Sequence, residues 1–137
     1  MTIEEALVEY LESNSTLRAL VGTNIYPQVV PPNVTGDTLV YNRISGMRDE
    51  IMGQPGGVSH HRIQIDCWSD SYSGVRRLAN ELRYALNNKS GQWGTVEVQC
   101  CMLIDEGDNP PDYTPDNSRV ESYSVRQDYE IWHSEEI

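Results

Sequence analysis

The spacing of apolar residues predicts three helical segments. Apolar positions recur every three or four residues over residues 3–13 and again over residues 72–86, which indicates two amphipathic helices. Thr2 and Glu5 stand at the spacing of a capping box just before the first of them. A short helical turn over Ser15–Leu20 follows the first helix and ends near a glycine.

Four further segments alternate apolar and polar residues with the period of a β-strand. The alternation is clearest where Ile63, Ile65 and Cys67 interleave with polar neighbours. The predicted strands are Leu39–Ser45, His60–Trp68, Trp93–Asp105 and Arg119–His133. The order α-α-β-β-α-β-β predicts an α+β fold with two layers, a mostly antiparallel four-stranded sheet with helices packed on one face.

The connection between the first two strands, residues 47–59, is longer than the sheet requires. A hairpin turn needs only about two to five residues, whereas this span is polar and rich in glycine. We interpret it as a flexible interaction arm, since long loops of small domains tend to bind partners. Its candidate contact residues are Arg48, Asp49, Glu50, Ile51 and Met52, with the last two as an apolar anchor. The alternative is a disordered hairpin tip without a function.

Residues 105–117 form a second notable segment, acidic and rich in proline. Its carboxylates are Asp105, Glu106, Asp108, Asp112 and Asp116. Carboxylates are the ligands of hard cations, but the spacing does not match a calcium-binding EF-hand loop. We therefore expect a stiff, solvated loop, and a small metal-dependent hydrolase built on it stays as the less favoured alternative.

The remaining candidates for chemistry are three histidines and three cysteines: His60, His61, His133, Cys67, Cys100 and Cys101. Neighbouring histidines in a strand point to opposite faces, and no spacing predicts that His133 approaches either. The cysteines have neither metal-site spacing nor the even count of a disulfide framework, so we expect reduced thiols. No phosphate-binding or hydrolase motif is present. The sequence predicts no enzyme activity, no metal and no cofactor.

Charge narrows the possible partners. The chain has 137 residues, which fits one domain, with 21 acidic and ten basic residues and a net charge of −11. Non-specific binding to nucleic acid is unfavourable for such a chain, because phosphate affinity depends on clustered Lys and Arg. The first residues lack a basic segment followed by an apolar one, and no apolar run approaches the roughly 20 residues of a membrane span. We expect a cytosolic protein.

Three stretches, taken together, carry a resemblance to a known family. They read "NIYPQVVPPNVTGDTLVYNRISG", "HHRIQIDCWSDSYSGVRRLANELRYAL" and "SVRQDYEIWH". Their residues and order resemble the tail completion proteins of long-tailed bacteriophages, also called tail terminator or tail-to-head joining proteins. The similarity covers nearly all of residues 1–137, which would then be a single tail-completion-like domain.

The resemblance implies a structural protein without enzyme activity. It implies a homo-hexameric ring that caps the tail tube, ends tail polymerisation and offers a joining surface to the head connector. DNA would only pass through the lumen, without sequence-specific binding, and no membrane would be involved. The protein would be assembled in the bacterial host cytoplasm and reside in the virion, at the head–tail interface. The family also carries a long insertion where residues 47–59 lie. A neck or connector adaptor protein is the main alternative.

Overall fold

The computed structural model describes residues 1–48 and 58–134, which form helices and strands in the following order. The elements are α1 (Ile3–Glu12), α2 (Ser15–Val21), β1 (Ile25–Pro27), β2 (Thr38–Arg48), β3 (Val58–Ser69), α3 (Tyr72–Leu86), β4 (Lys89–Trp93), β5 (Val96–Asp108), β6 (Asp112–Tyr113) and β7 (Val120–Ser134).

A single mixed sheet dominates the structure. Its strands follow the order β1-β2-β3-β7-β5-β4, and β6 pairs with β7. β1 runs parallel to β2, while the other pairs are antiparallel. The longest pairing joins β3 to β7, from Val58 opposite Ser134 to Ser69 opposite Tyr123. The sheet curls into a half-barrel.

The predicted fold, a mostly antiparallel four-stranded sheet with helices on one face, is wrong. The described residues form seven strands in a mixed, curled sheet. The strands that the pattern missed, β1, β4 and β6, have five residues or fewer, too few for alternation to be recognised. The predicted strand that begins at Trp93 is in fact two strands joined by Gly94 and Thr95. Gly94 has a φ of 58°, as the first loop position of a type II′ hairpin requires.

Polar side chains fix where the helices begin. The Thr2 hydroxyl accepts a hydrogen bond from the Glu5 amide, and the Glu5 carboxylate accepts one from the Thr2 amide, both at 3.2 Å. This is the predicted capping box. Asn14 caps α2 through a 3.0 Å bond from the Leu17 amide, and Ser71 caps α3. Each cap satisfies a backbone donor that the first helical turn leaves without a partner.

All three helices share one hydrophobic core with the sheet. The core includes Leu7, Leu11, Leu17, Leu78 and Leu82 from the helices and Leu39, Ile63, Ile65, Val125, Tyr129 and Ile131 from the strands. Trp93 of β4 stacks on Tyr10 of α1 with ring centroids 4.2 Å apart. The Tyr10 hydroxyl in turn donates to the Ala85 carbonyl of α3 at 2.7 Å. This contact ties α1, α3 and the terminal strand β4 together.

Candidate interaction surfaces

One of the residues predicted to form the interaction arm, Arg48, lies within the described residues. Arg48 is the last residue of β2 and stands opposite Ser59 of β3, so strand pairing extends beyond the predicted strand ends. Asp49, Glu50, Ile51 and Met52 lie outside the described residues. Their role as contact residues stays a prediction.

At one end of the sheet, β4 presents its outer edge. Trp93 pairs with Val96 across the two-residue loop, and Gln92 stands opposite Glu97. Residues of an antiparallel pair alternate between hydrogen-bonded and non-hydrogen-bonded positions. Since the pair that flanks a two-residue loop is hydrogen-bonded, the next pair is not, and the Gln92 amide points away from β5. No other described strand covers this edge.

At the opposite end of the sheet, β2 is only partly covered. β1 pairs with Leu39–Tyr41, and a further bond runs from the Gln28 amide to the Tyr41 carbonyl at 2.9 Å. The pairing ends there because Gln28, with a φ of 66°, departs from strand geometry. The outer edge of β2 over residues 42–48 therefore faces no described strand. Among the described strands, β4 at one end of the sheet and the second half of β2 at the other therefore leave an edge open to pairing.

The acidic segment 105–117 is not one loop. Residues 105–108 end β5, and Asp112 begins β6. Asp105 pairs with Arg126 at 2.9 Å and Asp108 pairs with Arg76 at 3.1 Å. Within residues 1–48 and 58–134, no three His, Cys, Asp or Glu side chains are grouped so that they could hold a metal ion. Asp108 thus joins the sheet to α3, whereas Asp105 joins β5 to β7.

Asp116 lies in a tight turn whose hydrogen bonds change the pKa of its carboxyl group. Its carboxylate accepts bonds from the Thr114 hydroxyl at 2.6 Å, the Ser118 hydroxyl at 2.8 Å and the Ser118 amide at 3.1 Å. These bonds stabilise the ionised form and lower the pKa of Asp116 to about 2. Any stability that this turn contributes is therefore present above the ordinary Asp pKa and lost as pH falls towards 2.

We expect the carboxyl carbon resonance of Asp116 to titrate with a midpoint near pH 2. A Thr114→Val, Ser118→Ala double variant removes the two hydroxyl donors and should shift that midpoint up towards the ordinary value. The Ser118 amide remains as a donor, so the return should be incomplete. A wild-type midpoint at the ordinary Asp value would contradict the described turn.

The structure brings together two histidines that the sequence pattern left apart. His61 of β3 and His133 of β7 stack, with Nδ1 of His61 2.7 Å from Nε2 of His133. Nδ1 of His133 lies 2.6 Å from the Ser134 carbonyl. His60 points to the other face, where it stacks on Trp132. The pairing of β3 with β7 creates this cluster from residues about half the chain apart. No local sequence motif predicts it.

Gln127 of β7 is a fully buried polar side chain. Its amide nitrogen donates to the Ala79 carbonyl at 2.9 Å and to the Glu106 carboxylate at 2.5 Å. Its amide oxygen accepts the hydroxyl of Tyr129 at 2.6 Å. Burial raises the pKa of that hydroxyl, so it remains a donor. The network joins β7 to α3 and β5, and the sequence gives no local sign of it.

The buried cysteines are thiols in the core. Cys67 and Cys101 are buried and free of disulfides, and burial raises the pKa of both thiols. A raised pKa disfavours the thiolate, which is the reactive form. These residues therefore pack as small apolar side chains.

The sequence of this chain matches a known protein family. A family model described as "Tail completion protein gp17" matches residues 5–134. The chain belongs to the tail completion protein gp17 family. In this family, the chain is a structural protein of the phage virion tail. No curated protein matches its sequence.

The fold of this tail completion family member also occurs in a solved virion. A chain from the structure titled "Virion of native gene transfer agent (GTA) particle" superposes with a TM-score of 0.70 at 14% identity. The match covers 97% of this chain and 95% of the other. At this identity, the likeness concerns the fold. No helix in the described part of this tail completion chain is long and apolar enough to cross a membrane.

Proposed function

We propose that the chain forms a closed ring of six copies on the end of the tail tube, where it ends polymerisation and presents a joining surface to the head connector. Family membership supports a structural role in the tail. The observation that carries the ring is the pair of open sheet edges, β4 at one end and β2 residues 42–48 at the other.

Edges at opposite ends of a sheet favour head-to-tail association. When β4 of one copy pairs with β2 of the next, the contact is heterologous, because different surfaces meet. A growing row of copies then keeps one open edge at each of its two ends until the last copy meets the first. Heterologous contacts that close make a ring, and a ring leaves no strand edge open to further pairing.

The β2–β3 hairpin supplies a second contact in this proposal. Residues 47–59 would reach from the end of β2 to a neighbouring copy or to the tail tube, with Arg48, Asp49, Glu50, Ile51 and Met52 as contact residues. The hairpin starts beside the proposed interface, because the open part of β2 leads directly into it. The net charge of −11 would let DNA pass the ring without adhering to it. The ring needs neither a catalytic group nor a cofactor.

The ring is tested by removing one outward backbone amide of β4. Gln92→Pro deletes a donor that points away from β5, so the β4–β5 pairing is retained and pairing with a further strand is impaired. Gln92→Ala loses the same side chain and keeps the amide. Samples are imaged by negative stain over a range of concentrations, alone and mixed with isolated tail tubes.

We expect six-membered rings or capped tubes with the wild type and Gln92→Ala, and neither with Gln92→Pro. Thermal unfolding of the two variants should be similar, which separates loss of assembly from loss of fold. Rings formed equally well by Gln92→Pro would contradict pairing through β4. Binding of the wild type to isolated connectors but not to tubes would favour a neck adaptor.

A further inference from the structure

A cleft of about 470 Å³ lies on the face of the sheet that the helices do not cover. It opens at the end of the sheet where β2 begins, β3 ends and β7 begins, between β6 and the segment that follows β1. Its apolar lining consists of Val29, Val30, Val34, Val40 and Trp68. The volume is within the range of about 300–1,000 Å³ that is typical of ligand-binding clefts.

Two of these apolar residues are exposed. Val29 retains 71% of its accessible surface and Val30 retains 37%. They are consecutive and lie beside the partly buried ring of Trp68. Contiguous exposed apolar patches mark interaction sites, and these two valines form the exposed apolar part of the cleft.

All the charged residues that line the cleft are acidic. Asp66, Asp70, Asp112 and Glu121 line it, and the lining includes neither Lys nor Arg. Burial raises the pKa of Asp66, although the Asn109 amide donates to its carboxylate at 3.3 Å.

Some carboxylates elsewhere in the chain have ion-pair partners. Asp105, Asp108 and Asp128 each have an arginine partner within 3.1 Å. No described residue forms an ion pair with Asp70, Asp112 or Glu121. The cleft therefore combines an apolar lining with three carboxylates that form no ion pair with any described residue.

We propose that this cleft binds an extended basic segment of another protein, one in which lysine or arginine alternates with apolar residues. Successive side chains of an extended segment point in opposite directions, so apolar ones can reach the valines and Trp68 while cationic ones meet the carboxylates. Nucleic acid and acidic segments are repelled by the same charge. A second copy of this chain, with a net charge of −11, is poorly matched to it. The proposal is independent of ring formation.

Binding is tested on the purified full chain with a short capped peptide of alternating lysine and leucine. One comparison peptide replaces leucine with serine, and the other replaces lysine with glutamate. The indole N–H resonance of Trp68 reports on the cleft, and that of Trp93, in the core, serves as the internal reference. We expect the lysine–leucine peptide to shift the Trp68 signal to saturation, the serine peptide to bind more weakly and the glutamate peptide to leave it unmoved.

Two matched triple variants separate the cleft from the overall charge. Asp70→Asn, Asp112→Asn, Glu121→Gln removes three lining carboxylates and should weaken binding by about tenfold, since each such charge contributes a modest share. Glu9→Gln, Glu12→Gln, Glu81→Gln makes the same change in net charge on α1 and α3 and should bind as the wild type does.

Three results would overturn the proposal. They are an unmoved Trp68 signal at saturating lysine–leucine peptide, equal binding of the serine peptide, and equal weakening in both triple variants. Gln92→Pro should bind the peptide as the wild type does, so failure of the ring and failure of the cleft are distinguishable.

Discussion

Replacing Trp93 with alanine is expected to lower the free energy of unfolding by about 3–5 kcal/mol, the usual cost of deleting a large buried ring. Trp93 is only 2% exposed and stacks on Tyr10, whose hydroxyl holds the Ala85 carbonyl of α3. The substitution therefore leaves a cavity where α1, α3 and β4 meet. Urea denaturation followed by circular dichroism measures the loss.

Two further substitutions show whether the stack carries this effect. Trp93→Phe keeps a ring against Tyr10 and removes an indole N–H that has no partner among the described residues, so it should cost far less than alanine. Tyr84→Ala deletes an aromatic ring that is 67% exposed on α3 and should change stability by no more than about 0.5 kcal/mol. Equal losses for Trp93→Ala and Tyr84→Ala would be incompatible with the described core.

Gln127→Leu is expected to destabilise the protein by about 2–4 kcal/mol, although leucine has a similar volume and is apolar. Each buried polar group that loses its partner costs about 1–3 kcal/mol. The substitution leaves the Tyr129 hydroxyl without an acceptor and removes the bond to the Ala79 carbonyl. Both Gln127 and Tyr129 are fully buried, so water cannot easily replace the lost bonds.

A double-mutant cycle isolates the bond between these two side chains. Tyr129→Phe in the Gln127→Leu background removes the hydroxyl that has lost its acceptor. It should restore part of the stability, because replacing both partners with apolar groups is nearly neutral. Tyr129→Phe alone should be destabilising. Additive losses across the cycle would mean that the hydroxyl and the amide do not interact energetically.

Local chemistry determined which elements could be predicted from the sequence. The capping box of Thr2 and Glu5 located the start of α1, and the alternation around Ile63 located β3, because both signals lie within a few residues. β4 escaped prediction since four of its five residues are exposed, which leaves no alternation. β1 escaped it because three residues that end in proline do not resemble a strand.

The features that depend on strand order could not be predicted from the sequence. The contact of His61 with His133 joins residues 72 positions apart, and the bonds of Gln127 reach α3 and β5. Both follow from β7 lying between β3 and β5. The predicted sheet was wrong for a different reason, since the short strands that the pattern missed add to its size and make it mixed. The cleft likewise combines residues from five separate parts of the chain.

The central place of β7 also has a consequence for folding during synthesis. β3 and β5 each find their main partner in a strand that begins only at Val120. Until the ribosome has released that strand, β2 and β3 can form only a hairpin with an open apolar edge, and β5 has only the short β4 beside it. Closing such distant pairs is slow because loop entropy is lost before the contacts form. The nascent chain is therefore most exposed to aggregation just before its last strand arrives.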